Sequence, residues 1–184
     1  MNRLVGVLAI QGDFQAHLDV LKTINVESRE VRNLGDLTGV THLIIPGGES
    51  TTIRKIAQTD GLWEKIGQFK GPVMGTCMGS ILMAKKILDP DGDGWGMLDI
   101  AIRRNAYGRQ VHSFTAIGRV TFDQEPFEMV FIRAPKFTEI GKNVKPVAWL
   151  HDEVTGVVSG NKMALTFHPE LTGNAVFHRY FLEF

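Results

Sequence analysis

Pro72-Val73-Met74-Gly75-Thr76-Cys77-Met78-Gly79-Ser80-Ile81-Leu82-Met83 passes from a short apolar run, through a glycine-flanked turn, into an apolar segment. Pro72 to Met74 reads as a buried strand and Met78 to Leu88 as a helix rich in Met, Ile, Leu and Ala. Working outward, the first half repeats the pattern. Leu4 to Ile10 is apolar on both faces, as a strand between two layers should be. Asp13 then caps a helix carrying Phe14, Leu18, Leu21 and Ile24 on one stripe. Val26 to Val31 is a weaker strand. His42 to Ile45 is another buried one, stopped by Pro46-Gly47-Gly48, after which Ser50 or Thr51 caps a segment with Ile53, Ile56 and Ala57 at helical spacing. Alternation of this kind predicts βαβ units and a parallel sheet with helices on both faces.

Beyond Asp99 the runs become short and β-like: Ile100 to Ile102, Ser113 to Phe122, Met129 to Ile132, Pro146 to Leu150, Val154 to Val158 and Met163 to Phe167. Asn174 to Glu183 closes as a helix. With no linker, repeat or low-complexity stretch, residues 1–184 read as a single domain.

Composition narrows the function. Lys plus Arg and Asp plus Glu are 20 each, so the net charge is zero and the electrostatic footprint of a nucleic-acid binder is missing. One cysteine excludes an internal disulfide and any multi-cysteine metal centre. Leu4 to Ile10 is too short to span a bilayer and no cleavage site follows it, so the expectation is a cytoplasmic protein without a membrane segment.

Three pieces carry chemistry. Gly75-Thr76-Cys77-Met78-Gly79 at a strand-to-helix turn has the form of a nucleophile elbow, with Cys77 at a helix N-terminus that favours thiolate. From those residues alone a buried structural cysteine fits equally well. Phe167-His168-Pro169-Glu170 offers a base and a carboxylate. Pro169 pushes His168 towards an extended conformation, in which residues two apart project to one side. A turn after a strand with a merely satisfied imidazole is the plainer alternative. Paired glycines in Pro46-Gly47-Gly48-Glu49-Ser50 leave backbone N–H groups free to form an oxyanion hole with the N–H of Met78. All three follow strands of one sheet, where open α/β folds place their crevices.

At these residues the sequence resembles the triad-type (class I) glutamine amidotransferases, and among them the glutaminase subunits of pyridoxal 5'-phosphate synthase. Leu8 to Asp13, Glu49-Ser50-Thr51-Thr52, Arg104 to Gln110 and Phe131-Ile132-Arg133-Ala134-Pro135 extend the match along the chain. The resemblance implies a flavodoxin-like, three-layer αβα fold with a mostly parallel central sheet. It implies Cys77 as nucleophile, His168 as base and then acid, and Glu170 as its orienting partner. Gly47, Gly48 and Glu49 would line the glutamine site, Gly48 and Met78 would supply oxyanion N–H groups, and Arg104, Ile132 and Arg133 would hold the amino-acid end. It further implies L-glutamine as substrate and a barrel-shaped synthase subunit as partner in a hetero-oligomeric complex. Ammonia would be channelled to that subunit, with pyridoxal 5'-phosphate a product and not a cofactor of this chain. Met78 departs from the smaller residue common in this subfamily. The alternatives are the glutaminase of another amidotransferase, such as that of histidine biosynthesis, or a non-catalytic regulatory subunit of the same fold. The Arg104 to Gln110 run and Ile132 to Pro135 argue against the first, and the complete triad against the second.

Other features carry less. Asp89-Pro90-Asp91-Gly92-Asp93-Gly94 imitates the start of a calcium loop, but Ile100 stands where the bidentate Glu belongs, so no metal is expected. His151-Asp152-Glu153 reads as a solvated turn, Arg103, Arg104 and Arg109 as a basic cluster, and His17 on the first helix has no assigned role.

Overall fold

The computed structural model describes residues 3–59, 61–88, 92, 94–107 and 113–184. The first half builds β1 (Val5–Leu8), α1 (Phe14–Thr23), β2 (Ser28–Val31), β3 (His42–Ile45), α2 (Ser50–Ala57), α3 (Leu62–Gly67), β4 (Val73–Thr76) and α4 (Met78–Met83). There follow β5 (Ala84–Leu88), β6 (Leu98–Arg103), β7 (Ser113–Val120), β8 (Phe127–Ile132), β9 (Lys136–Ile140), β10 (Lys145–Leu150), β11 (Glu153–Ser159), β12 (Lys162–Leu165) and α5 (Val176–Phe181).

A nine-stranded sheet runs in the order β2-β1-β3-β4-β12-β11-β10-β7-β8. The five strands from β2 to β12 are parallel, in the 2-1-3-4-5 order of a flavodoxin-like doubly wound fold. From β12 outward every pairing is antiparallel. The expected parallel sheet is therefore the half that carries the βα turns, and the antiparallel units β10-β11-β12 and β7-β8 from the second half of the sequence extend it.

Strand periodicity separates two cores. Leu43, Ile45, Val73 and Leu8 face a cluster with Ile53, Leu62, Ile66 and Met83 from α2, α3 and α4. Ile44, Met74, Val5 and Val7 face the opposite cluster with Leu21 of α1 and Phe177 and Phe181 of α5. Successive strand residues alternate between these clusters, which is the period of two expected of a sheet buried on both faces.

The β4–β12 ladder fixes the site. Val73, Met74, Gly75 and Thr76 pair with Lys162, Met163, Ala164 and Leu165. At the start of this ladder Lys162 Nζ donates to Gly71 O at 2.6 Å and Asn161 Nδ2 to Lys70 O at 2.8 Å. At its end Cys77 N donates to Leu165 O at 2.8 Å.

Several elements differ from expectation. The helix read over Met78 to Leu88 stops at Met83; Ala84 is extended (φ −66°, ψ 151°) and opens β5, which pairs in parallel with β6. A bulge between Ala84 and Lys86 puts Ala84 and Ile87 on the buried side, a spacing of three that imitates a helix. With β9 these strands form a separate three-stranded sheet. Neither β9 nor α3 was expected: β9 fully buries none of its residues, and α3 is short, burying Leu62, Trp63 and Ile66. Helix α2 already includes Ser50; Ile53 N donates to Glu49 O, so Glu49 occupies the cap position expected of Ser50 or Thr51. The closing helix spans Val176–Phe181 and not Asn174 to Glu183. The calcium-like loop, apart from Gly92 and Gly94, and Gly108, Arg109 and Gln110 lie outside the described residues.

Candidate functional site

Cys77 stands between β4 and α4 with φ 48° and ψ −107°, a conformation that few non-glycine residues adopt. The flanking glycines permit it. A Cβ on Gly79 would sit 1.9 Å from Ile45 O, and one on Gly75 would sit 2.7 Å from the carbonyl carbon of Gly79. The Gly-x-Cys-x-Gly spacing is thus a packing requirement of the elbow. Cys77 is 6% exposed and its thiol approaches Ile132 O at 3.5 Å.

His168 reaches the same place from the end of β12. Its N–H donates to Val130 O at 2.8 Å, tying it to β8, and its ring lies against Gly47, where a Cβ would come within 2.3 Å of Cε1. Nδ1 meets Glu170 Oε1 at 2.8 Å. Glu170 was expected to arrive by extended geometry; instead Pro169–Leu171 is a 3-10 turn, and the carboxylate folds back under the ring. Nε2 closes no hydrogen bond of good geometry among the described residues. Burial lowers the His168 pKa, but hydrogen bonding and charge from Cys77 and Glu170 outweigh it and carry the group up to about 10. Burial raises the Glu170 pKa, and His168 offsets part of that rise. An imidazolium held between a sulfur and a carboxylate is the arrangement that activates a thiolate nucleophile.

The open face of the sulfur looks into a cleft of about 690 Å³ whose lining includes Gln11, Gly48, Glu49, Met78, Arg104, Ile132 and Arg133. Of the residues expected to bind substrate, Gly47 is the one that does not line it, being buried beneath the His168 ring. Arg104 is half-buried, and burial lowers its pKa. Arg133 is exposed, with φ 45°. Gly47 O accepts from Asp13 N at 3.3 Å, and Glu49 N donates to Gln11 Oε1 at 3.2 Å.

Sequence reasoning gave no role in the site to Gln11, Asp13, Asn105 or Ser113, all of which line the cleft. Position was the available signal for the first two, since Gln11 and Asp13 closely follow β1 at the end of the sheet where the other motifs gather. Asp13 Oδ2 lies 3.7 Å from His168 Nδ1. Asp13, His168 and Glu170 therefore bring three ligand-type atoms within 4.8 Å of one another, although His168 Nδ1 is already engaged by Glu170. Glu153, read as part of a solvated turn, instead accepts from Tyr107 and Lys136 at 2.6 Å each.

The profile of the SNO glutamine amidotransferase family matches residues 7–184. The chain belongs to this family. Among its relatives is the pyridoxal 5'-phosphate synthase subunit PdxT of Pyrococcus horikoshii, 46% identical over 192 aligned residues, with 97% of each chain covered. The subunit of the same name from Thermus thermophilus is also 46% identical, with 100% of this chain and 98% of that one covered. A solved structure described as a glutamine amidotransferase superposes with a TM-score of 0.91 at 43% identity, covering 97% of both chains. Membership of the SNO family and this superposition agree with the αβα architecture and with a cleft at the ends of the parallel strands. None of the described helices is long and apolar enough to cross a membrane.

Proposed function

We propose that this chain is the glutaminase subunit of a pyridoxal 5'-phosphate synthase, hydrolysing L-glutamine to L-glutamate and ammonia. The observation that carries the reading is the His168 ring, bound to a buried carboxylate on one side and turned towards a strained cysteine on the other, in a member of a glutamine amidotransferase family. Cys77 thiolate attacks the side-chain amide carbon, and Gly48 and Met78 N–H groups receive the developing oxyanion. The C–N bond breaks as His168 delivers its proton to the leaving nitrogen, releasing ammonia. A water then gives its proton to His168 and attacks the thioester carbon, the C–S bond breaks, and glutamate leaves. Glu170 keeps the imidazole oriented throughout. Arg104 and Arg133 suit the substrate carboxylate, and Ile132 and Glu49 line the same cleft.

The partner in this reading is a barrel-shaped synthase subunit in a cytoplasmic hetero-oligomer, which takes the ammonia. The relatives named for pyridoxal phosphate synthesis favour it over a glutaminase of histidine biosynthesis. The test is Cys77→Ala in the full chain, assayed with the synthase subunit present. Glutamine turnover should vanish while binding to the partner survives; retained turnover refutes the assignment. A second comparison measures the parent chain with and without the synthase subunit. The Gly47 carbonyl is engaged by Asp13 N, and repositioning this peptide on docking should raise the rate. Equal rates would count against that coupling.

A further inference from the structure

Behind Glu170 lies a buried polar chain to which the mechanism gives no role, and its meaning rests on the triad reading above. His17 of α1 and His178 of α5 are both 0% exposed, although 161 residues separate them. His17 Nδ1 lies 2.9 Å from His178 Nε2. His17 Nε2 lies 3.1 Å from Thr76 Oγ1 and 3.4 Å from Glu170 Oε2. That carboxylate oxygen is buried and closes no hydrogen bond of good geometry among the described residues.

The acceptors decide where the protons sit. Burial holds the pKa of His17 well below its ordinary value and that of His178 down to about 4, so each ring carries one N–H at neutral pH. An ionised carboxylate has only lone pairs to offer, and the Thr76 hydroxyl can accept as well as donate, so the His17 nitrogen facing both bears the hydrogen. His17 Nδ1 is then an acceptor, and His178 Nε2 must donate to it. That leaves His178 Nδ1 as a bare lone pair, and this atom has no hydrogen-bond partner among the described residues. The opposite arrangement would bury a partnerless N–H at His178 and set a lone pair of His17 against Oε2, which is the costlier choice. Every N–H in the chain therefore points towards Glu170.

We infer that His17, oriented by His178, is a positioning residue for Glu170: its Nε2, hydrogen-bonded to Thr76 Oγ1 at 3.1 Å, turns the N–H edge of the ring to Oε2 at 3.4 Å, an electrostatic contact that favours the rotamer with Oε1 on His168 Nδ1. His168 is hydrogen-bonded to one oxygen of the carboxylate and His17 faces the other at 3.4 Å, so rotation of the carboxylate about its terminal bond would give up both contacts. Helix α5, none of whose residues lines the cleft, acts on the catalytic base through two imidazoles.

The test combines spectroscopy with kinetics. In the unsubstituted full chain, ¹⁵N-histidine NMR should find both His17 and His178 as the Nε2–H form; an Nδ1–H form of His17 overturns the inference. With the synthase subunit present, His17→Phe should lower kcat for glutamine about tenfold, a fraction of what general acid–base catalysis supplies, and leave KM unchanged. His17→Gln, whose side-chain amide reaches as far as Nε2, should recover most of the rate. An unchanged kcat in His17→Phe, or His17→Gln no better than His17→Phe, also overturns it. If the Phe variant fails to fold, the tautomers of the parent chain decide alone. Failure of the triad reading would look different: Cys77→Ala would retain turnover while the tautomers stayed as described.

Discussion

Substituting Gly47 by alanine probes the site with a magnitude the structure supplies. The new Cβ would lie 2.3 Å from His168 Cε1 and 3.2 Å from each ring nitrogen. Carbon atoms pack best at about 3.5 Å, so the ring must retreat by about 1.2 Å. It cannot do so freely, because Glu170 holds Nδ1 at 2.8 Å and Val130 O holds the backbone at 2.8 Å. Nor does Gly47 yield readily, since Gly12 is packed on its carbonyl so closely that a Cβ there would come within 1.7 Å. Misplacing a catalytic group by about 1 Å costs on the order of 100-fold, or about 2.7 kcal/mol in the barrier. Gly47 does not adopt a positive φ, so alanine brings no backbone strain and the fold should survive. Steady-state glutaminase assays with the synthase subunit present, alongside thermal melts, measure both quantities. A variant within threefold of the parent, or one whose lost activity matches its lost folded fraction, refutes the reasoning.

Other outcomes follow from the same geometry. Cys77→Gly and Cys77→Ala should both be inactive, with the glycine variant the more stable by about 1 kcal/mol, because glycine relieves the strain at φ 48°. Melts should separate them by about 2–4 °C. Stability should fall as pH drops from 6.5 towards 4, where the unfolded chain protonates His178 and the folded one does not. That interval corresponds to roughly 3 kcal/mol; urea titrations of His178→Phe should show a flatter acid limb than the parent, and identical limbs would contradict the burial argument. His168 acts at the other end: its raised pKa contributes stability below 6.5 that is lost as pH rises through about 10. Arg104→Lys should raise KM for glutamine about tenfold with little change in kcat, since an ammonium lacks the two-pronged geometry that grips a carboxylate; a kcat effect without a KM effect would move Arg104 out of the substrate-binding role.

What could be read from the sequence was what local sterics enforce. Gly75, Gly79 and Gly47 announce close approaches, and Pro169 announces a break after a strand; each marks a place where backbone and side chain must meet tightly. The inner parallel strands β1, β3 and β4 were legible because they are buried on both faces. Ala84 to Leu88 misled because a bulged strand buries positions three apart, as a helix does. Strand β9 was hidden because its residues, none fully buried, show no alternation. His17 and His178 gave no signal, since their meeting depends on α1 and α5 packing on the same face of the sheet, a tertiary fact that neither helix states alone. Glu170 was placed correctly by an argument from extended geometry that the 3-10 turn does not obey; adjacency in the chain was enough.

The ladder between β4 and β12 has a consequence at the far end of the molecule. Sulfur and imidazole each extend from one arm of this pair, so their separation is set by how the arms are aligned, as the jaws of a caliper are set by its beam. A slip of one residue would carry one jaw about 3.3 Å past the other and turn its side chains to the wrong face. The grip of Lys162 and Asn161 on the carbonyls of Gly71 and Lys70 is the stop on that beam. Calibration of the reaction centre is thus stored in lysine and asparagine contacts at the end of the strands away from the cleft.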